Sequence, residues 1–220
     1  MRLKPLWRDY WSAQSSPQHR DSTAEFYRRH AAELTLMMGA PPPTVLELGC
    51  GDGALYEALG FDAVDYTGVD FSPAMLEQFA TRHPDARLVL GDAADYRDDA
   101  RRHDLVFSNQ VVQYLDKESF GRLLANASAM LAPRGAVVTA SVPCRALRLR
   151  YFTGEYSGQR TNPARNAYRI AGGLVGDRIG RWYSFAEIDR LGEQFGFRSE
   201  LYGSIYYPYR FHVRMTRDGY

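Results

Sequence analysis

Short apolar runs alternate with stretches of helical periodicity through the middle of this chain. Five runs predict buried strands, at residues 44–48, 66–70, 86–90, 104–108 and 136–142. Between them, apolar residues recur at the three- and four-residue spacing of an amphipathic helix. Strands that alternate with helices predict βαβ units, and therefore a mostly parallel sheet with helices on both faces.

Capping residues mark where the helices begin. Ser22 with Glu25 forms a capping box before a helix that ends at Gly39, and Ser72 followed by Pro73 starts another. Three more helices are predicted: a short one around 55–59, one from Asp116 to Pro133 and Gly135, and one from Ser184 and Glu187 to near Phe197. Two last runs, 200–206 and 210–216, predict strands six and seven.

Residues 144–182 interrupt this rhythm. They hold eight arginines, no lysine and two acids, so their local charge is +6, and aromatic residues lie between the arginines. Because the segment is too long for an ordinary connection, we expect an insertion or lid. The chain then divides into an N-terminal arm and helix (1–43), a core (44–143), this insertion, and a C-terminal helix with two strands of the same domain (183–220).

Composition excludes several classes of protein. The 220 residues carry a net charge of +1 and are 45% hydrophobic, which is ordinary for a globular domain. Cys50 and Cys144 lack CxxC partners, which excludes a disulfide scaffold and a zinc knuckle and is typical of a reducing compartment. The N-terminus lacks the apolar core of a signal peptide, and no run approaches the ~20 apolar residues of a membrane span. We therefore expect a cytoplasmic protein without a transmembrane segment.

The strongest chemical signal is the glycine-rich turn Glu-Leu-Gly-Cys-Gly-Asp-Gly after the first predicted strand. Ligands of open parallel sheets bind at that edge, and glycines let backbone approach them closely. Gly49, Gly51 and Ala54 also satisfy the loose dinucleotide fingerprint. A dinucleotide needs its pyrophosphate over a helix N-terminus, whereas Glu47 and Asp52 suit a cationic ligand without phosphate.

Polar residues end the next three predicted strands as well. Asp70 ends the second strand about 20 residues after the glycines, where a carboxylate can accept hydrogen bonds from both ribose hydroxyls of either cofactor. Asp92 and Ala93 follow the third strand, where an acceptor can meet an adenine amine. Asn109 and Gln110 open a polar turn after the fourth strand.

In this order and spacing, the four blocks resemble class I S-adenosylmethionine-dependent methyltransferases of the small-molecule type, over residues 44–142. The resemblance implies a methyltransferase with S-adenosylmethionine as cofactor and no metal. It implies a doubly wound, mostly parallel, seven-stranded sheet with an antiparallel last strand. The glycine turn would surround the methionine part, Asp70 would hold the ribose, and Asp92 and Ala93 would line the adenine pocket. The predicted cofactor contacts are Glu47, Gly49, Cys50, Gly51, Gly53, Asp70, Phe71, Asp92, Ala93 and Asn109.

A general base is harder to assign. The family often carries paired histidines where this chain has Gln113 and Tyr114. The remaining candidates are His30, His212 and Tyr114, and a base is needed only if the acceptor is a weak nucleophile such as a sugar hydroxyl.

The acceptor is expected to be a small or medium polar molecule that is anionic or attached to an anion. Arginine forks bind phosphate or carboxylate, and aromatic rings stack on sugar faces, so O-methylation of a sugar or glycan intermediate fits the 144–182 segment. The predicted substrate contacts are Gln110, Gln113, Tyr114, Arg160, Arg165 and Arg169.

Three other functions remain open: N-methylation of a small metabolite, methylation of nucleic acid, and cofactor binding without catalysis. The basic segment favours nucleic acid, but no Asn-Pro-Pro-Tyr type of tetrapeptide follows the fourth strand and no recognition module is visible. We therefore do not expect a nucleic-acid partner, and the sequence does not indicate an oligomeric state.

Overall fold

A computed structural model of the protein describes residues 24–157, residue 171 and residues 179–217. Seven strands form one sheet in the order β3-β2-β1-β4-β5-β7-β6. Strands β1 to β5 pair in parallel, and β7 pairs antiparallel with both of its neighbours. This topology confirms the predicted doubly wound sheet with an antiparallel last strand. The strands are β1 Thr44–Leu48, β2 Asp65–Asp70, β3 Arg87–Leu90, β4 His103–Asn109, β5 Leu131–Pro143, β6 Phe197–Gly203 and β7 Arg210–Arg217.

The helices begin at the predicted caps wherever the structure describes the cap. The side chains of Ser72 and Asp116 each accept a hydrogen bond from the backbone N–H three residues later, and Ser184 and Glu187 form the predicted capping box. Ser22 lies outside the described residues. The α-helices are α1 Ala24–Met38, α2 Pro73–Arg82, α3 Lys117–Met130, α4 Arg148–Phe152 and α5 Phe185–Glu193. Short 3₁₀ helices cover Phe61–Ala63, Val112–Tyr114, Arg145–Leu147 and Glu155–Ser157.

Helices cover both faces of the sheet. One apolar cluster holds Leu34 of α1 and Phe79 of α2, and the other holds Leu124 of α3 and Ile188 of α5. The apolar stripe predicted for α3 is buried in the second cluster. Within the described ranges, no helix is both long and apolar enough to cross a membrane.

The prediction of a helix around residues 55–59 is wrong. Residues 54–60 form a series of turns, in which Leu59 N–H donates to Leu55 O but Phe61 N–H reaches back to Tyr56 O. Gly53 and Gly60 lie on either side of this segment with φ of 77° and 71°, a left-handed conformation that an α-helix does not allow. The chain therefore leaves the glycine turn without a regular helix.

Other boundaries differ from the prediction as well. Helix α3 ends at Met130 rather than at Pro133, and strand β5 begins at Leu131 rather than at residue 136, because Leu131 pairs with His103 directly after α3. Helix α5 ends at Glu193 rather than near Phe197, because Gly196 turns the chain with φ of 75°. Strand β6 consequently covers 197–203 rather than 200–206, and residues 204–209 form a turn into β7.

The antiparallel β7 brings its first residues to the carboxyl edge of the parallel strands. Arg210 pairs with Pro143, and Phe211 pairs with Val142, at the end of β5. The β5–β7 register shifts between Thr139 and Val142, and Ser141 within this irregularity has φ of 56°. The start of β7 therefore faces the same edge as the glycine turn.

His103, at the opposite edge, gives a test of the fold. Burial lowers its pKa, with the Arg101 charge adding to the effect, and neither ring nitrogen has a hydrogen-bond partner among the described residues. Below pH 6.5 the unfolded chain therefore binds a proton that folded His103 does not. As the pH falls through this range, His103 lowers the free energy of unfolding by up to about 1.4 kcal/mol for each pH unit.

His103→Leu should remove this contribution. We expect urea unfolding at pH 5 to 8 to show the variant gaining stability relative to the wild type as the pH falls below 6.5. Parallel curves for the two proteins would contradict the assignment.

Candidate active site

The glycine turn after β1 is held open by three left-handed glycines. Gly49, Gly51 and Gly53 have φ of 78°, 56° and 77°. The backbone N–H groups of Gly49 and Cys50 both donate to Val69 O, at 2.7 and 3.1 Å. The ends of β1 and β2 therefore meet, which brings the turn beside Asp70 as the sequence predicts.

Asp70 links the two strand ends through its carboxylate. Its Oδ2 accepts from Gly51 N–H at 2.9 Å, and its Oδ1 accepts from Ser72 N–H at 2.8 Å. The residue is 8% exposed, and burial raises its pKa against these hydrogen bonds. Because a carboxylate can accept about four hydrogen bonds, its oxygens keep room for a ligand hydroxyl. Phe71, the next residue, is half-buried.

Glu47 adds a second buried carboxyl group. It accepts a 2.6 Å hydrogen bond from Tyr66 Oη, and burial, with smaller contributions from the charges of Asp70 and Asp52, raises its pKa to about 8. Among the described residues neither Glu47 nor Asp70 has a cationic partner within 4.0 Å, while Arg82 pairs with Asp52 at 2.9 Å. Two buried carboxyl groups that lack such a partner fit a cationic, hydroxyl-bearing ligand and disfavour a pyrophosphate.

The other predicted cofactor residues line the same edge. Asp92 Oδ1 accepts from Ala94 N–H at 2.9 Å and closes the turn after β3, and Ala93 is buried within it. Cys50 packs in the apolar cluster that holds Leu34 and Phe79, and burial raises the pKa of its thiol well above the usual range. Both observations favour a packing role over a nucleophile.

The turn after β4 packs directly on the glycine turn. A Cβ on Gly49 would overlap Val111 Cγ2. Gln110 has φ of 58°, and its N–H donates to Ala140 O. A non-glycine residue in this conformation costs about 1–2 kcal/mol, and such strain concentrates at functional sites. Asn109 and Gln110 therefore lie where the sequence places them, beside the glycines.

Two predicted base candidates meet in a buried polar group that we call the histidine cluster. His30 Nδ1 lies 3.3 Å from Glu33 Oε2, and His30 Nε2 lies 3.4 Å from Ser141 Oγ and 3.5 Å from Asn109 Oδ1. His212 Nδ1 accepts from Ser141 N–H at 3.0 Å, and its Nε2 lies 3.5 Å from Glu33 Oε1. Burial lowers the pKa of both histidines, so both are neutral near pH 7.

The remaining predicted substrate residues are distributed differently. Gln113 is buried beside the cluster, whereas Tyr114 lies against Gly180, outside it. Arg160, Arg165 and Arg169 lie outside the described residues.

Sequence reasoning missed three residues of this edge: Glu33, Ser141 and Arg210. Arg210 Nη1 donates to Gln113 Oε1 at 2.6 Å and also to the Ser141 carbonyl. Glu33 follows His30 by three positions, the spacing of one helix face, and this was the only local signal for it. Ser141 and Arg210 meet through the pairing of β5 with β7, which no local pattern encodes.

Comparison with known proteins identifies the domain. Residues 45–135, which run from β1 through α3 and include the glycine turn and Asp70, match the family described as Methyltransferase domain. This chain carries a class I S-adenosylmethionine-dependent methyltransferase domain. The match confirms the resemblance read from the four strand ends.

Relatives of the methyltransferase domain act on different acceptors. The chain is 36% identical over 118 residues to a trans-aconitate 2-methyltransferase of Methylobacterium radiotolerans, covering 52% of this chain and 44% of that protein. It is 32% identical over 102 residues to a malonyl-[acyl-carrier protein] O-methyltransferase of Anoxybacillus flavithermus, covering 43% and 38%. The chain thus matches less than half the length of each relative.

Solved methyltransferase structures share the whole fold. The magnesium protoporphyrin IX methyltransferase of Synechocystis with bound S-adenosylhomocysteine has a TM-score of 0.66 and 17% identity, covering 98% of this chain and 100% of that one. The N-methyltransferase NodS of Bradyrhizobium japonicum has a TM-score of 0.66 and 19% identity, covering all of both chains. At this identity the likeness establishes the fold of the methyltransferase domain.

Proposed function

We propose that this protein binds S-adenosylmethionine at the carboxyl edge of its sheet and transfers the methyl group to a carboxylate oxygen of a small organic acid. Cofactor binding is supported by Glu47 and Asp70, two buried carboxyl groups beside three left-handed glycines. Neither carboxyl group has a cationic partner among the residues that the structure describes. S-adenosylmethionine supplies a methyl group on a positively charged sulfur. Asp70 would hold its ribose hydroxyls, and Glu47 its cationic methionine part.

The second half rests on the chemistry of the acceptor. Trans-aconitate and malonyl groups, which name the acceptors of two relatives, both carry carboxylates. A carboxylate is already an anion at pH 7, so its oxygen can attack the methyl carbon without losing a proton. An oxygen lone pair forms the new bond while the methyl–sulfur bond breaks, and that electron pair stays on sulfur. This reaction needs no general base, in keeping with the absence of the family's paired histidines.

A sugar hydroxyl is the second candidate, as the sequence suggests. It would need a base, and the observation that favours it is His30, a neutral imidazole at the same edge. In the tautomer that carries its proton on Nδ1, directed at Glu33, His30 Nε2 has no proton and is able to accept one.

The stability of the product in base separates the two candidates. The purified protein would be incubated with methyl-labelled S-adenosylmethionine and either a set of di- and tricarboxylic acids, trans-aconitate among them, or a set of sugars and nucleotide sugars. We expect label in the acids and its release as methanol in mild alkali, because methyl esters hydrolyse there and methyl ethers and N-methyl groups do not. A base-stable product would contradict the carboxylate proposal.

Cofactor binding should release a proton from Glu47. Near pH 7 this group is largely protonated, and a cation bound beside it lowers its pKa and expels the proton. We expect affinity to rise with pH up to about pH 8, and calorimetry in buffers of different ionisation enthalpy to show proton release that Glu47→Gln abolishes.

Glu57→Gln is the matched control, because Glu57 is exposed on the turns that follow the glycines. It should leave the proton release unchanged. Equal release in wild type and Glu47→Gln would contradict the role of Glu47.

A further inference from the structure

Arg210 is a buried cation without a counter-charge. It is 6% exposed at the start of β7, and among the described residues no carboxylate lies within 4.0 Å of its guanidinium. Its Cζ lies 5.5 Å from the ring centroid of Tyr207 and 5.2 Å from that of Tyr209. Burying an unpaired charge is costly, and two aromatic faces compensate only part of that cost.

Among the described residues, the Arg210 guanidinium donates hydrogen bonds only from Nη1. Nη1 donates to Gln113 Oε1 and to the Ser141 carbonyl, so both of its N–H groups are satisfied. Nε is buried and has no hydrogen-bond partner in the part of the chain that the structure describes. The N–H groups of Nε and Nη2 point in parallel from a planar guanidinium, and this fork matches the two oxygens of a carboxylate.

We propose that Arg210 binds a second carboxylate of the acceptor, one that is not methylated, and that the protein therefore selects acids with at least two carboxylates. This inference rests on the proposed function. Gln113, Ser141, Tyr207 and Tyr209 hold the guanidinium so that its Nε edge faces the ligand.

The charge balance of the reaction decides which carboxylate Arg210 takes. Methyl transfer neutralises the attacking carboxylate as the ester forms. An arginine paired with that group would stabilise the ground state more than the transition state and so slow the reaction. A spectator carboxylate keeps its charge throughout, so Arg210 can bind it without opposing the chemistry.

The wild-type experiment compares acids of matched length. Dicarboxylates of three to six carbons and trans-aconitate would be assayed against monocarboxylates of the same lengths, with methyl-labelled S-adenosylmethionine. The second readout is the thermal stabilisation that each acid gives to the protein loaded with S-adenosylhomocysteine (SAH). We expect kcat/KM for the best diacid to exceed that for its monoacid by about 10- to 100-fold, the factor for a charge-assisted hydrogen-bond pair.

Two variants assign this preference to Arg210. Arg210→Lys keeps the charge and removes the fork, so we expect the ratio of diacid to monoacid kcat/KM to fall by about 10- to 100-fold. Gln113→Glu places a carboxylate against Arg210 and should lower diacid kcat/KM in the same direction by occupying it. Arg214→Lys is the control, because Arg214 lies on the same strand and pairs with Glu200 at 3.2 Å.

SAH affinity separates this inference from the proposed function. Wild type that fails to bind SAH contradicts the proposed function. Wild type that binds SAH but treats diacids and monoacids alike overturns the role of Arg210, as does an Arg210→Lys protein that binds SAH normally and keeps the full diacid preference. If neither variant folds, the wild-type comparison decides alone.

Discussion

Asp70→Ala is expected to weaken SAH binding by more than about 100-fold. The substitution removes the proposed acceptor of the ribose hydroxyls. It also removes the acceptor of the Gly51 and Ser72 N–H groups, so the glycine turn loses one of its connections to β2. Charge-assisted hydrogen bonds of this kind contribute about 1.5–3 kcal/mol each, and two of them account for the factor. The measurement is isothermal titration with SAH.

Asp65→Ala is the matched control for this prediction. Asp65 begins the same strand at the opposite edge of the sheet and pairs with Arg101 at 3.1 Å on the surface. It should bind SAH as the wild type does. An Asp70→Ala protein that retains wild-type affinity would remove the ribose role from Asp70.

Gly53→Ala should strongly destabilise the fold. A Cβ there would lie 2.7–2.8 Å from three carbons of the Phe79 ring, which is fully buried between α2 and the sheet. The backbone φ of 77° adds about 1–2 kcal/mol of strain, and the overlap adds about 1–3 kcal/mol. Urea unfolding should therefore show a loss of about 2–5 kcal/mol.

Gly196→Ala separates strain from overlap. Gly196 has nearly the same φ, 75°, but a Cβ there meets no atom within 4 Å. It should show only the backbone contribution of about 1–2 kcal/mol. Equal losses at the two glycines would mean that Phe79 moves aside without cost.

The sheet and its caps could be predicted because their signals are local. Thr44–Leu48 is a short, mostly apolar run and forms β1 with the predicted bounds. Ser72 and Asp116 cap their helices through contacts three residues away. The error at residues 55–59 has a local cause too: apolar spacing favours a helix there, but left-handed Gly53 and Gly60 end any helical geometry on either side.

The acceptor side could not be predicted in the same way, because its contacts join distant parts of the chain. Ser141 and Arg210 are 69 residues apart and meet only through the β5–β7 register. His212 could have faced either side of its strand, and the register shift near Ser141 decides that it meets Glu33 of α1. We expected arginines of residues 144–182 to recognise the substrate, whereas Arg210, the buried arginine proposed for this role, lies in β7.

The two halves of the edge carry different ionisable groups. Buried carboxyl groups collect around the glycine turn, at Glu47 and Asp70, and the buried guanidinium of Arg210 lies at the start of β7. A cationic methyl donor and an anionic acceptor would each be attracted to its own half. The reacting groups would then meet near Asn109 and Gln110, where the turn after β4 packs on the glycines.

The most direct test of this account is a calorimetric titration of the purified protein with SAH and, in parallel, with NADH. Saturable heat of one-to-one stoichiometry with SAH, and none with NADH, is the result we predict for an acidic, phosphate-free pocket. Heat with the dinucleotide and none with SAH would contradict it.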